Sequence, residues 1–172
     1  MGEPDKEIEL LPEGTKATAF FLTRGDSVLF GLKKRGIFKD KLLGPGGKLR
    51  EGESSEDCVK REAEEEIGVK LKNMRKVGSI NFFYIEDEKS TSQQVDFYLV
   101  DDWEGKPQET EEMKPVWYKL DEIPVDQMPG QNKLFIQHIL KGQFVSGNLV
   151  LDKDMNLVSN QLIFQQPNEQ GT

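Results

Sequence analysis

Between Gly47 and Val69 the chain reads GKLREGESSEDCVKREAEEEIGV. Eight acidic side chains crowd into it: Glu51, Glu53, Glu56, Asp57, Glu62, Glu64, Glu65 and Glu66. Gly46 and Gly47 rule out regular structure before it, and Gly68 stops a helix after it. Ser54 with Asp57 three residues on is a capping-box-like start, so the helix begins near Ser54. Val59, Ala63 and Ile67 recur every four residues and form its buried stripe. At 100° per residue, Glu62, Glu65 and Glu66 share one face and Glu64 points away. Two unit charges ~6 Å apart repel by ~3 kcal/mol at an effective dielectric of ~20. Either these carboxylates face water, as on any exposed acidic helix, or a cation sits among them. Mg²⁺ takes oxygen ligands and is commonly bound by carboxylates together with substrate phosphates.

The charge around this segment is uneven. From Lys33 to Arg50 the bases are Lys33, Lys34, Arg35, Lys39, Lys41, Lys48 and Arg50, against the single acid Asp40. A basic half joined to an acidic half suits an anionic ligand bridged by cations. Two solvated faces of opposite sign would give the same pattern. The formal net charge of −8 argues against a coat for nucleic-acid polymers. At 172 residues the chain is long enough for one domain with a full core. No apolar run reaches membrane-spanning length and no signal-peptide pattern opens the sequence. Gly2 is not followed by the Ser or Thr of a myristoylation signal. The lone Cys58 excludes an internal disulfide and is expected to be a small packing residue. These features lead to the expectation of a cytoplasmic protein without a membrane partner, and of a monomer.

Along the rest of the chain, residues 1–14 are expected to be a polar lead-in, 15–165 one domain and 166–172 a frayed tail. ATAFFLT (17–23) and SVLFGL (27–32) read as strands joined in a hairpin through RGD. Residues 36–53 read as a loop. VGSINFFYI (77–85) and QVDFYLV (94–100) read as strands around a polar loop at 86–93. KPVWYKL (114–120) is a short strand, NKLFIQHILK (132–141) a second helix stopped at Gly142, and 147–164 a closing hairpin. Trp117 and Tyr118 are expected to be core and flank, and lone His138 a residue of the second helix. No His/Cys cluster suggests zinc.

The glutamate segment resembles the Nudix box, G-x5-E-x7-R-E-U-x-E-E-x-G-U, where U is a bulky apolar residue. Gly47, Glu53, Arg61, Glu62, Glu65, Glu66, Gly68 and Val69 match, with Ala63 small for its apolar slot. The resemblance implies an α/β Nudix fold: an α/β/α sandwich with a central mixed sheet and a loop-helix-loop catalytic motif. It implies hydrolysis of nucleoside diphosphate derivatives with Mg²⁺, or Mn²⁺ in its place. It makes Gly46, Glu62, Glu65 and Glu66 metal ligands, one glutamate also assisting the attacking water, and it makes Arg61 the group that orients them.

Beyond the box, VLFGLKKRG, GGKLREGE, KVGSI and EEMKPVWYKLDEIP resemble the MutT-like 8-oxo-dGTP diphosphatases, the oxidised purine nucleoside triphosphatases of that family. This implies a nucleoside triphosphate substrate cut to monophosphate and pyrophosphate. It places Thr18, Lys33, Gly47 and Lys48 against substrate, Phe82 beside the base, and Glu112 at an outlying metal position. Leu43 stands where the pattern has a base-bonding asparagine. Gln131 and Asn132 replace two aspartates, Pro129 a stacking tryptophan, and Ile37 an aromatic. The residues for chemistry are kept and those that read the base differ. Tyr84 lies near a tyrosine found in members that cut dinucleoside polyphosphates, so another nucleoside diphosphate derivative is an alternative substrate. A broad nucleoside triphosphate pyrophosphatase is another. Catalytically dead relatives usually lose box glutamates, and this chain keeps them all.

Overall fold

The computed structural model describes residues 14–87 and 89–166. The proposed lead-in, apart from Gly14, and the tail beyond Gln166 lie outside the described residues. Strands β1 (Thr15–Arg24), β2 (Ser27–Lys33) and β3 (Leu42–Leu43) precede helix α1 (Ser55–Ile67). Strands β4 (Lys70–Glu86), β5 (Lys89–Glu104) and β6 (Met113–Lys119) follow. Two 3₁₀ turns (Val125–Gln127 and Gly130–Leu134) and the short helix α2 (Ile136–Leu140) lead into β7 (Phe144–Leu151) and β8 (Leu157–Gln165). The sheet order is β3-β2-β1-β5-β4-β7-β8, with β6 on β2. The β1–β5 and β4–β7 pairs are parallel and the others antiparallel, so the sheet is mixed.

Each face of this sheet carries its own core, because side chains alternate along every strand. Phe20 and Leu22 of β1 face α1, where Val59, Ala63 and Ile67 pack with Leu29, Tyr98, Val100 and Met113. Phe21 faces the other way, joining Ile80, Phe82, Phe97, Leu149 and the α2 residues Ile136, Ile139 and Leu140. Helical layers on both faces make this the expected α/β/α arrangement.

Three element expectations need correction. β1 and β2 pair only at their turn, Thr23 with Val28 and Arg24 with Ser27. The glycine loop takes the rest of that edge of β1: Thr18 N–H bonds the Gly47 carbonyl at 2.9 Å and Phe20 N–H the Pro45 carbonyl at 2.8 Å. β2 swings away to pair with β6 from Ser27 to Lys33. The expected polar loop at 86–93 is mostly strand, since Glu86 pairs Lys89 and the ladder runs on through Phe82 and Gln93. Ser and Thr there are polar but not strand-breaking, and a tight turn with Asp87 at φ 56° suffices. The second helix is a 3₁₀ turn and a five-residue helix, broken at Phe135 (φ −134°, ψ −17°). The break sets the Phe135 ring, fully buried, between Phe82 and Phe97 at centroid distances of 6.3 and 5.3 Å. Gly142 does end α2, and the closing hairpin forms as β7–β8.

Trp117 is a half-exposed flank residue stacked on Trp103 beneath the Arg24 guanidinium, and Tyr118 packs edge-on to Phe30. His138 bonds Gln143 and lies against Phe164. No helix among the described residues is long and apolar enough to cross a membrane.

Candidate active site

α1 starts where the sequence places it. Ser54 is extended and its Oγ accepts the Asp57 amide at 3.1 Å. Gly68 closes it at φ 72°, and the Val69 amide reaches back to the Ala63 carbonyl. Ser55 Oγ donates to Asp96 Oδ2 at 2.8 Å, tying the first turn to β5.

Arg61 is the hub of the box. Its Nε and Nη2 fork onto both oxygens of Glu53 at 2.8 and 3.0 Å. Its Nη1 donates to Glu62 Oε1 at 3.0 Å and Glu65 Oε1 at 3.2 Å, and Nη2 also reaches the Lys48 carbonyl at 3.1 Å. The Arg61 fork and the Arg50 amide pull the Glu53 carboxyl down to about 2. Glu66 lies differently. It is 5% exposed, and Oε1 accepts the Gly46 amide at 2.6 Å. Burial pushes its pKa up to about 7, against that bond, with Glu62 adding to the rise. Burial also raises Glu62.

The glycine loop fits this cluster closely. A Cβ at Gly47 would stand 2.7 Å from the Glu62 carboxyl carbon, and one at Gly46 (φ 151°) would meet the β1 backbone. Cys58 is fully buried beneath the loop, 3.4 Å from Thr18 Oγ1 and 3.4 Å from the Gly47 carbonyl, and burial raises its pKa.

The residues expected to hold metal gather around this loop. Among the described residues, however, no three His, Cys, Asp or Glu side chains converge tightly enough to hold a cation as they stand. Arg61 draws Glu62 and Glu65 to itself, and Glu66 turns to Gly46. Glu112 pairs with Arg35 and, at 3.8 Å, with Lys33. The donor chemistry nonetheless suits a hard divalent ion: all the side chains are carboxylates, Glu66 is buried, and desolvation raises the pKa of both Glu62 and Glu66.

On the opposite face of the sheet lies a pocket. Ala19, Phe21, Phe82, Tyr84, Val95 and Phe97 form its floor; Phe38, Leu43 and Gly44 one wall; Pro129, Gln131, Asn132 and Phe135 the other. All five residues expected at the base, Leu43, Phe82, Pro129, Gln131 and Asn132, line it together. Gly44 connects it to the glycine loop two residues on. Thr18 does not line the pocket; it points to the α1 side and braces the loop. The Lys48 side chain is exposed.

Sequence reasoning missed Phe38, Gln93 and the role of Glu53 as the main partner of Arg61. Gln93 was within reach, since it shares the alternation of Val95 and Phe97, but its stretch read as loop.

The NUDIX domain profile matches residues 14–139. The chain belongs to the Nudix family. It is 36% identical over 138 residues to the oxidized purine nucleoside triphosphate hydrolase of Mus musculus, covering 80% of this chain and 87% of the relative. The Danio rerio protein of the same name is 35% identical over 124 residues, 72% of this chain and 78% of the relative. A MutT protein from Bacillus halodurans superimposes with a TM-score of 0.74 at 27% identity, covering 86% of this chain and 97% of that one. Nudix hydrolases use divalent cations, in keeping with the carboxylate donors found here.

Proposed function

We propose that this Nudix hydrolase cuts oxidised purine nucleoside triphosphates such as 8-oxo-dGTP to the monophosphate and pyrophosphate, with Mg²⁺ as its cation. The observation that carries the reading is the joining of two sites by one loop. A pocket lined by aromatic side chains lies two residues along the chain from the glycine loop that meets the box carboxylates. The names of the similar Mus musculus and Danio rerio proteins support the same substrate class.

Glu62, Glu65, Glu66 and the Gly46 carbonyl would hold the cation, with Glu112 at its outer side. When bound, the cation polarises phosphate oxygens and lowers the pKa of water. Arg61, anchored by Glu53, fixes the direction of Glu62 and Glu65. Lys33 stands beside the cluster and, with Lys48 at the loop, offsets phosphate charge. A box carboxylate takes a proton from the attacking water as the bridge between the first two phosphates breaks. Pyrophosphate leaves with the bridging oxygen.

Turnover of a nucleotide panel with Mg²⁺, with orthophosphate and pyrophosphate detected separately, tests this. Pyrophosphate is expected, with label from isotopic water in one product only. Orthophosphate and a diphosphate would overturn the cleavage site. Equal rates on 8-oxo-dGTP, 2-hydroxy-dATP, dGTP and dATP would make the chain a general triphosphate hydrolase. Faster cleavage of dinucleoside polyphosphates would move it to another substrate class.

A further inference from the structure

The pocket holds two polar side chains to which the resemblance to the 8-oxo-dGTP diphosphatases gives no role. Tyr84 of β4 and Gln93 of β5 join Gln131 and Asn132 in its lining. Tyr84 is 7% exposed and Gln131 9% exposed. None of the four side chains has a hydrogen-bond partner among the described residues. Their polar atoms are not sealed in, since among the described residues the buried side-chain atom without a partner is Thr91 Oγ1; they open onto the cavity, where water or a ligand pairs them. The sheet register explains the pairing of the first two. Gln93 is the partner of Phe82, and Tyr84 is the partner of Thr91, so Tyr84 and Gln93 are diagonal neighbours on one face. Gln131 and Asn132 belong to the 3₁₀ turn over that face. Polar groups therefore lie both on the floor and on the far wall, with aromatic rings between.

A purine fits such a layout edge by edge. An 8-oxopurine has a donor and an acceptor side by side at N7–H and C8=O, and a further set along N1, N2 and O6. A carboxamide can donate to one atom of such a pair and accept from the other, and a phenol hydroxyl can do either. We propose that the Tyr84 hydroxyl and the Gln93 carboxamide are specificity-determining groups for the purine base, reading its edge together with Gln131 and Asn132. The proposal deepens the substrate reading above and rests on it. None of the pocket-lining residues is an acid, a histidine, a lysine or an arginine. Recognition is thus wholly neutral, and Tyr84, pushed up to about 12 by burial, stays a phenol throughout the physiological range.

The test uses Tyr84→Phe and Gln93→Met, each checked for melting temperature. The readout is the ratio of kcat/KM for 8-oxo-dGTP to that for dGTP. Each variant is expected to lower this ratio about tenfold, as loss of one buried hydrogen bond would, with the change in KM larger than that in kcat. The ratio is also expected to stay flat between pH 6 and pH 8 in the wild type. Where the wild type prefers 8-oxo-dGTP, a ratio unchanged in both folded variants overturns the proposal. Affinities for 8-oxo-dGMP, dGMP and dCMP, measured by calorimetry, separate its failure from failure of the proposed function. A wild type that turns over 8-oxo-dGTP no faster than dGTP sinks the substrate reading. Tyr84 and Gln93 still stand if the variants lose the wild type's preference for purine over pyrimidine monophosphate, and they fall if that preference persists.

Discussion

Glu66 is the acid whose surroundings least suit a negative charge. Its pKa rises from 4.5 to about 7 in the folded chain, chiefly through burial. The folded state therefore holds a proton that the unfolded state releases. This contribution is full below pH 4.5 and lost as pH rises through 7. The rise corresponds to roughly 3 kcal/mol of metal-free stability lost at pH 8. Glu66→Gln keeps an oxygen for the Gly46 amide and removes the charge. Its denaturant midpoint in chelator should exceed that of the wild type at pH 8 and converge with it at pH 5. The same difference at both values would show that burial does not disfavour this carboxylate. Arg61 poses the complementary case. Lysine keeps the charge but cannot fork onto Glu53 while reaching Glu62 and Glu65. Arg61→Lys is expected to lose about 10–100-fold in cation affinity or turnover. Cation titrations and rates matching the wild type would leave the fork without a role.

The loop and α1 work as one element, because the loop's backbone meets the helix's carboxylates. Gly47→Ala drives a methyl group into the Glu62 carboxyl. It should weaken cation binding at least tenfold while shifting stability little. Gly68→Ala, at φ 72°, should cost about 1 kcal/mol of stability and leave cation affinity unchanged. If the two variants exchanged these effects, the division of labour along the element would be wrong. Most of this element was legible in the sequence, since Ser54, the Val59–Ala63–Ile67 stripe and Gly68 act within a few residues of one another. The pairing of β1 was not. Its edge is taken by Pro45 and Gly47, and its other edge by β5, with Thr15 opposite Gln93, and propensity carries no record of such choices. The box positions and the five expected pocket residues were legible through family likeness. Gln93 depended on the register of the β4–β5 ladder, which a polar composition concealed. The broken second helix reflects tertiary packing, because burying Phe135 outweighs the helical preference of NKLFIQHILK.

At the scale of the whole molecule, the proposed cation site would set protons and the cation in competition for the same carboxylates. The chain carries a formal charge of −8, and the box concentrates part of it in partly buried positions. A divalent ion bound only by the folded state adds stability, about 2.7 kcal/mol at a hundred times its dissociation constant. If Glu66 is a ligand, as proposed, binding would require it to give up its proton, and the apparent affinity should fall as pH drops below 7, by up to about tenfold per unit. Two measurements follow from this coupling. The rise in melting temperature at a fixed Mg²⁺ concentration should be larger at pH 8 than at pH 6. Calorimetric titration at pH 6, in buffers of different ionisation enthalpy, should reveal proton release, and that release should vanish in Glu66→Gln. Equal melting shifts at both pH values, with no protons released, would mean that the ion is held by carboxylates already ionised. Glu65 would then be the leading ligand, since it is half-exposed, and Glu66 would be a structural acid bonded to Gly46.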